Sequence, residues 1–588
     1  MYLTPGFHFV LKSLPVLLGY PATIACVLRI GFSQFGVVLP RWTLMLAAIF
    51  SLPCLAIFQY ALKQLNQRRR ATALGCQLIP KAKFKWPGNI DFISILDDSF
   101  KNGYLVDAIS ELLQSYGTVF NMNILWEDYI FTDNPEYMRI MLATRFHNYE
   151  KGMRFQNCMH SFLGTGVFNS DAQTNINQFR FHRTMTRPFF NRIRIRDFEI
   201  FHRHSELMIA NIKKRMEEGY AIDFQQDVIS RFTLDVATEF LFGHCMNALA
   251  ATLPYPQNVP PSQIPVSDLS QSSAVSEFSA AFRQVQEIAI ERQTIGWMWP
   301  LAEMWEDKSK RPMQIIHQYI EPIVHEAIIH AAVTPENKEI SEDETFLSHL
   351  AKSVSDPVII RDEILNILLA GRDTIACTLT FTMYFLASHP DVLSKLRREI
   401  CSTIGAVSEP TLESIQGMPY LRAVINAIIL IHFMPIRESI HDDIWPSPDP
   451  TQKPFYIPAR TTADYSFLFM HRRKDLWGPD AEEFDPDRFL DERVQKYQLR
   501  NPFQFLPFNA GPRICLGQQF AYNEMSYILI KLLQRFSEIT LDMEALDEKS
   551  HPPKEWANCP GRKGKEIIFP KMHLTIYVAG GLWIGMGG

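Results

Sequence analysis

The chain has 588 residues, a formal net charge of −5 and an apolar fraction of 47%. The length exceeds one typical domain, the 42 Phe point to a large core or a large apolar cavity, and the mild acidity argues against a nucleic-acid binder. The nine cysteines are scattered without a C-x-x-C pair, which argues against a disulfide framework or a zinc site and for a reducing compartment.

Residues 42–62 form a run without a charge, closed by Lys63, Arg68, Arg69 and Arg70. Its length spans a bilayer, and the basic cluster predicts that the following chain faces the cytosol. Pro53 within it permits a kink. An earlier uncharged run, 13–28, is shorter and ends at Arg29; a second span, a re-entrant piece and an interfacial helix all fit it. No small-residue cleavage site follows, so the region reads as an uncleaved anchor over 1–70. The basic, Pro- and Gly-containing stretch 81–89 reads as part of a hinge over 71–90 at the membrane surface.

Beyond it, 91–588 reads as one domain in a mainly helical, α+β pattern with small sheets. Residues 118–125 are strand-like, 225–243 have helical apolar spacing, and 253–273, rich in Pro, Ser and Gln, form a surface insertion. Two long helices are expected over 277–292 and 312–332, and a long apolar one over 360–386. The last carries Ala370-Gly371-Arg372-Asp373-Thr374. The segment 572–581 alternates at period two and is interrupted by Gly, which predicts a hairpin strand with a turn.

The stretch Phe508-Asn-Ala-Gly511-Pro-Arg513-Ile-Cys515-Leu-Gly517 precedes an amphipathic helix expected over 518–536. Cys515 therefore sits at a helix N-terminus, where free N–H groups face its sulfur. Gly511 suits a loop with positive φ, Gly517 lets backbone approach a flat group, and Arg513 can pair with a carboxylate. The skeleton F-x-x-G-x-R-x-C-x-G resembles the haem-binding loop of the haem-thiolate monooxygenases, the cytochromes P-450. Residues 370–374 match that family's A/G-G-x-D/E-T pattern.

The resemblance covers residues 87–586 and implies the cytochrome P-450 fold, a helical bundle around haem b. It implies Cys515 as the iron ligand and propionate contacts from Arg183, Arg513 and Arg437. Arg183 falls in a basic segment, 170–204, within Phe179-x-x-x-Arg183, where Phe179 stands in place of the family's Trp. The rest of that basic face suits docking of an acidic electron donor. Cleaving dioxygen needs two protons in a dry site, which the Thr374 hydroxyl and the Asp373 carboxylate would deliver. Electrons would come from a separate NADPH–cytochrome P-450 reductase, because no flavin or nicotinamide domain is evident. Phrases such as 85–89, 232–240 and 581–583 are similar to the fungal alkane and fatty-acid hydroxylases. They imply oxygen insertion at an aliphatic carbon of an apolar substrate, at the endoplasmic reticulum membrane with the catalytic domain facing the cytosol.

One departure stands out. The family carries Glu-x-x-Arg after a stretch such as 418–426, and here Ala427 and Leu430 occupy those places, in a segment about three residues short. Glu136-x-x-Arg139 precedes the basic helix and is a decoy. Arg488, the motif's third partner, is expected to lack its carboxylate, at a cost of about 3–5 kcal/mol. A mis-spliced gene model and a degenerate protein without activity both account for this, and a haem protein that rearranges its substrate without added oxygen is a third class.

Overall fold

The computed structural model describes residues 3–105, 107–171, 176–190, 195–265, 274–333, 344–428 and 435–588. Among the described residues the chain opens with helix Pro5–Leu14, a π turn Pro15–Gly19 and helix Tyr20–Gln34, followed by helix Arg41–Ala73. Both stretches are long and apolar enough to cross a membrane. The second runs 11 residues past the uncharged stretch, to Ala73 and not Leu62, because its polar C-terminal turns find partners on the chain that follows. Gln67 donates to Asp128 at 2.9 Å and Arg70 pairs with Asp442 at 2.8 Å. The stretch expected as a hinge is bonded to the domain behind it. The Ala82 N–H donates to the Asn121 carbonyl at 2.9 Å, and the Asn89 amide donates to the carbonyls of Ala82 and Met122.

The helix Pro357–Ser388 crosses the middle of the molecule. Asp356 caps its start by accepting from the Val358 N–H at 2.9 Å, Pro357 presets the first turn, and His389-Pro390 ends it, since a residue before proline leaves the α region. Its N-terminal half packs with helices Ser230–Phe242, Ala274–Ile295 and Lys310–Val333; its C-terminal half packs with Pro390–Ile404, Pro419–Ile428 and Gln518–Arg535. The bounds of Ala274–Ile295, Lys310–Val333, Pro357–Ser388 and Gln518–Arg535 match the expected helices to within a few residues. The helically spaced residues of 225–243 begin as a π turn, Phe224–Ile229, before the regular helix starts.

A five-stranded sheet flanks this bundle in the order Val119–Asn121, Tyr129–Thr132, Thr462–Tyr465, Ile436–Ser439, Tyr149–Glu150. It sets Arg437 opposite Ala463 and Glu150 opposite Glu438. The two facing carboxylates share Arg460, at 2.7 and 3.2 Å. The expected C-terminal hairpin is Pro570–Met572 paired with Ile576–Val578, and its chain continues into Trp583–Gly587, which pairs with Glu538–Leu541 and Ile222–Asp223.

Arg488 does not lack a carboxylate. It donates to the Asp480 carboxylate at 3.0 Å, the Asp480 carbonyl at 2.6 Å and the Trp477 carbonyl at 2.9 Å. The expectation failed because an acid eight residues upstream is folded against it by the turns around Pro486. Ala427 packs against the core, while Leu430 lies outside the described residues. Glu136 and Arg139 pair with each other on an exposed turn, as a local i,i+3 bridge.

Candidate active site

Between the central helix and the loop 507–517 lies a cavity of about 430 Å³. The central helix supplies Ala370, Gly371 and Thr374 to its wall; the loop supplies Phe508, Arg513, Cys515 and Gly517; Leu574 and Thr575 of the hairpin turn close it. The motif cysteine and the motif threonine, 141 positions apart, thus face one space. A Cβ on Gly371 would meet nothing within 4 Å, so the helix leaves room there while staying regular.

The loop's shape follows from its residues. Gly511 has φ +63°, and a Cβ on it would lie 1.9 Å from the Leu142 carbonyl oxygen, so no larger residue fits. Asn509 shares the left-handed conformation at φ 65°. The Cys515 N–H donates to the Phe508 carbonyl at 2.9 Å, which turns the sulfur toward the cavity ahead of helix Gln518–Arg535. Cys515 is open to the cavity yet shut off from bulk water. That enclosure raises its thiol pKa, while the Gly517 N–H and then Arg183 favour the thiolate. Arg183 itself donates to the Ile514 carbonyl at 3.0 Å.

Four cations line the same cavity: Lys151, Arg183, Arg437 and Arg513. Arg513 pairs with buried Asp171 at 3.2 Å, and burial, then Arg437, pull its pKa down to about 9. Arg437 is 3% exposed; it donates to the Ile436 carbonyl at 2.6 Å, its Nε has no hydrogen-bond acceptor, and no described carboxylate forms an ion pair with it. Lys151 donates to the Phe168 carbonyl, and burial, then Arg513 and Arg437, push its pKa well below the ordinary value. Such an excess of enclosed positive charge is costly without an anion. A doubly anionic group that carries a metal fits this donor set: Cys515 would ligate the metal and the cations would pair with the anionic groups.

Not every expected residue lies where the motif suggested. Thr374 lines the cavity, but its hydroxyl donates back to the Ala370 carbonyl at 2.6 Å. Asp373 sits beside the cavity wall, where it accepts from Gln286 of helix Ala274–Ile295 at 2.6 Å and pairs with Arg372 at 3.3 Å. Phe179 lies on helix Ile176–Phe190, and Arg192 and Arg194 of the basic segment fall outside the described residues. Gln286 and Lys151 went unnoticed in the sequence because neither belongs to a motif. Lys151 announces itself only by a positive-φ Gly152 after a buried Glu150.

A long helix behind a cysteine loop, with small sheets to one side and a cation-edged cavity between, is the architecture of a haem-thiolate enzyme. The family model described as Cytochrome P450 matches residues 92–557. Cytochrome P450 52E2 of Candida apicola is 34% identical over 481 residues, covering 80% of this chain and 87% of that protein. Cytochrome P450 52-M1 of Starmerella bombicola is 35% identical over 70% of this chain and 76% of its own length. Cytochrome P450 monooxygenase pvhE of Talaromyces variabilis is 33% identical over 72% and 77% respectively. The chain belongs to the cytochrome P450 family and is a haem-dependent monooxygenase.

Proposed function

We propose that this enzyme inserts one atom of dioxygen into an aliphatic C–H bond of an apolar substrate, an alkane or a fatty acid. It draws electrons from a separate NADPH-dependent reductase, at the endoplasmic reticulum membrane with its catalytic domain in the cytosol. The single observation that carries the reading is that Cys515 and Thr374 line one cavity whose remaining wall is largely apolar, with Phe155, Phe168 and Leu574. The fungal relatives of the 52 series support the substrate class.

Haem, when bound, supplies the oxygen activation. Around it this chain has four tasks. Cys515 ligates the iron, and the Gly517 N–H and Arg183 stabilise the thiolate's charge. Arg183, Arg437 and Arg513 hold the propionates, with Lys151 beside them. Thr374 presents a hydroxyl to the reacting face, and Asp373, held by Gln286, brings protons from outside to it. The aromatic and aliphatic wall excludes water and orients the alkyl chain.

The test begins with a spectrum. Reduced protein under carbon monoxide should show the strongly red-shifted Soret band of thiolate ligation, and Cys515→Ser should abolish it. With reductase, NADPH and alkanes or fatty acids of graded length, hydroxylated product should appear. Protein that retains no haem when made with ample supply supports the reading as a degenerate relic, and a haem protein that turns over without NADPH supports the rearranging class.

A further inference from the structure

Both ends of the N-terminal helical pair are fastened to the catalytic domain. At the front, Thr4 donates its hydroxyl to the Met304 carbonyl at 2.5 Å, and the Gly6 N–H donates to the Glu303 carbonyl at 3.2 Å. Helix Pro5–Leu14 approaches so closely that a Cβ on Gly6 would stand 2.5 Å from the Met304 Cα and 2.7 Å from the Pro300 oxygen. Phe7 meets Trp305 edge-on at 5.8 Å. The receiving segment is itself rigid, because buried Arg292 forms two bonds to Glu303, at 2.7 and 2.8 Å. At the back, Tyr60, Lys63, Gln67 and Arg70 reach Asn123, Glu127, Asp128 and Asp442.

What projects between these fastenings is a hairpin. Residues 15–34 continue helically to Gln34, the chain turns at 35–40, and helix Arg41–Ala73 packs back against the first leg. At 1.5 Å per residue the free legs, 15–34 and 41–59, are about 30 and 28 Å long, the thickness of a bilayer's hydrocarbon core. Their surfaces are apolar and bare: Val16, Leu18, Ile30, Met45, Ile49 and Ile57 are all more than half exposed. Lys12, Lys63, Arg68, Arg69 and Arg70 lie on the domain's side, against Arg29 and Arg41 toward the turn.

We infer that residues 15–34 and 41–59 cross the membrane as a two-span hairpin, with the N-terminal helix Pro5–Leu14 on the same, cytosolic, side as the catalytic domain and the turn 35–40 on the opposite side. The orientation follows from the five-to-two distribution of basic residues. The docked helix fixes the depth of the domain, so Trp297 and Trp305, 42% and 83% exposed, lie at the level of the headgroups. This inference rests on the membrane-bound reading above.

The experiment uses the full chain in sealed microsomes, with an epitope ahead of residue 3 and a flexible loop carrying an Asn-Ser-Thr acceptor inserted after Gly36. Resistance to carbonate extraction is established first; release into the supernatant overturns the membrane reading itself. Protease added outside should remove the epitope together with the catalytic domain, and the inserted acceptor should be glycosylated. An epitope protected until detergent is added overturns the hairpin in favour of a single crossing from the lumen. An accessible epitope with an unmodified acceptor also overturns it, because both legs then lie on the cytosolic surface.

Discussion

The Thr374 hydroxyl donates to the Ala370 carbonyl at 2.6 Å while its side chain faces the cavity. A back-bonded hydroxyl can still accept a hydrogen bond from that space, and it donates a proton into it once it releases the Ala370 carbonyl. Thr374→Ala removes this at a cost of about 1 kcal/mol of helix hydrogen bonding, too little to unfold the domain. We expect haem content to be unchanged, NADPH consumption to continue, and the share of electrons lost to peroxide to rise several-fold. Product and peroxide measured in one assay decide it; unaltered coupling removes Thr374 from proton delivery.

Arg488 and Asp480 give the second prediction. The guanidinium is 6% exposed and serves three acceptors at once, whereas the Asp480 side chain is 38% exposed and can turn to water. The asymmetry predicts unequal costs. Arg488→Met strands the carbonyls of Trp477 and Asp480 and should cost about 3 kcal/mol, whereas Asp480→Asn should cost about 1 kcal/mol. Thermal melts followed by circular dichroism should order the variants that way. Equal melting points would mean that the bonds to Arg488 carry no weight.

The parts of this site that were legible in the sequence are those written in a few adjacent residues. Gly511, Cys515 and Gly517 sit in one loop because the chain must turn there, and Thr374 lies in the middle of a helix whose caps and apolar content are local. The cations were not all legible. Arg437 and Lys151 meet because the strand Ile436–Ser439 pairs with the edge strand Tyr149–Glu150, which Lys151 directly follows, and no local pattern records that pairing. Gln286 reaches Asp373 across 87 positions for the same reason. Arg488 failed in the other direction. The acids at 480, 482, 483, 485 and 487 all stand near it in sequence, and only the fold shows that Asp487 turns to Lys395 while Asp480 turns to Arg488.

Asp464 should make stability depend on pH. It lies on a central strand, its Oδ1 has no partner, and burial raises its pKa to about 7. A carboxyl raised in the folded state stabilises fully below its unfolded value near 4, and that contribution is lost as pH rises through about 7. The loss amounts to roughly 2–4 kcal/mol. Asp464→Asn cannot ionise, so it should melt higher than the parent at pH 8 and at a similar temperature at pH 4.5. Parallel melting curves across that range would place the proton elsewhere.

Lys151 separates a cation kept for the cofactor from one kept for the fold. Its ammonium is enclosed beside Arg437 and Arg513, with Asp171 as the nearby acid. In cofactor-depleted protein that position is a burden, since burying a cation among like charges disfavours its charged form. On the proposed haem assignment the same charge would pair with a propionate and be offset. Lys151→Met should therefore act with opposite signs: the depleted protein melts several degrees higher, and the loaded protein loses haem to an excess of a haem-scavenging apoglobin about tenfold faster, which corresponds to about 1.4 kcal/mol. A purely structural lysine would lower both forms together, and a solvated one would change neither. The comparison needs no turnover, so it reads the charge at the cavity's edge independently of substrate and reductase.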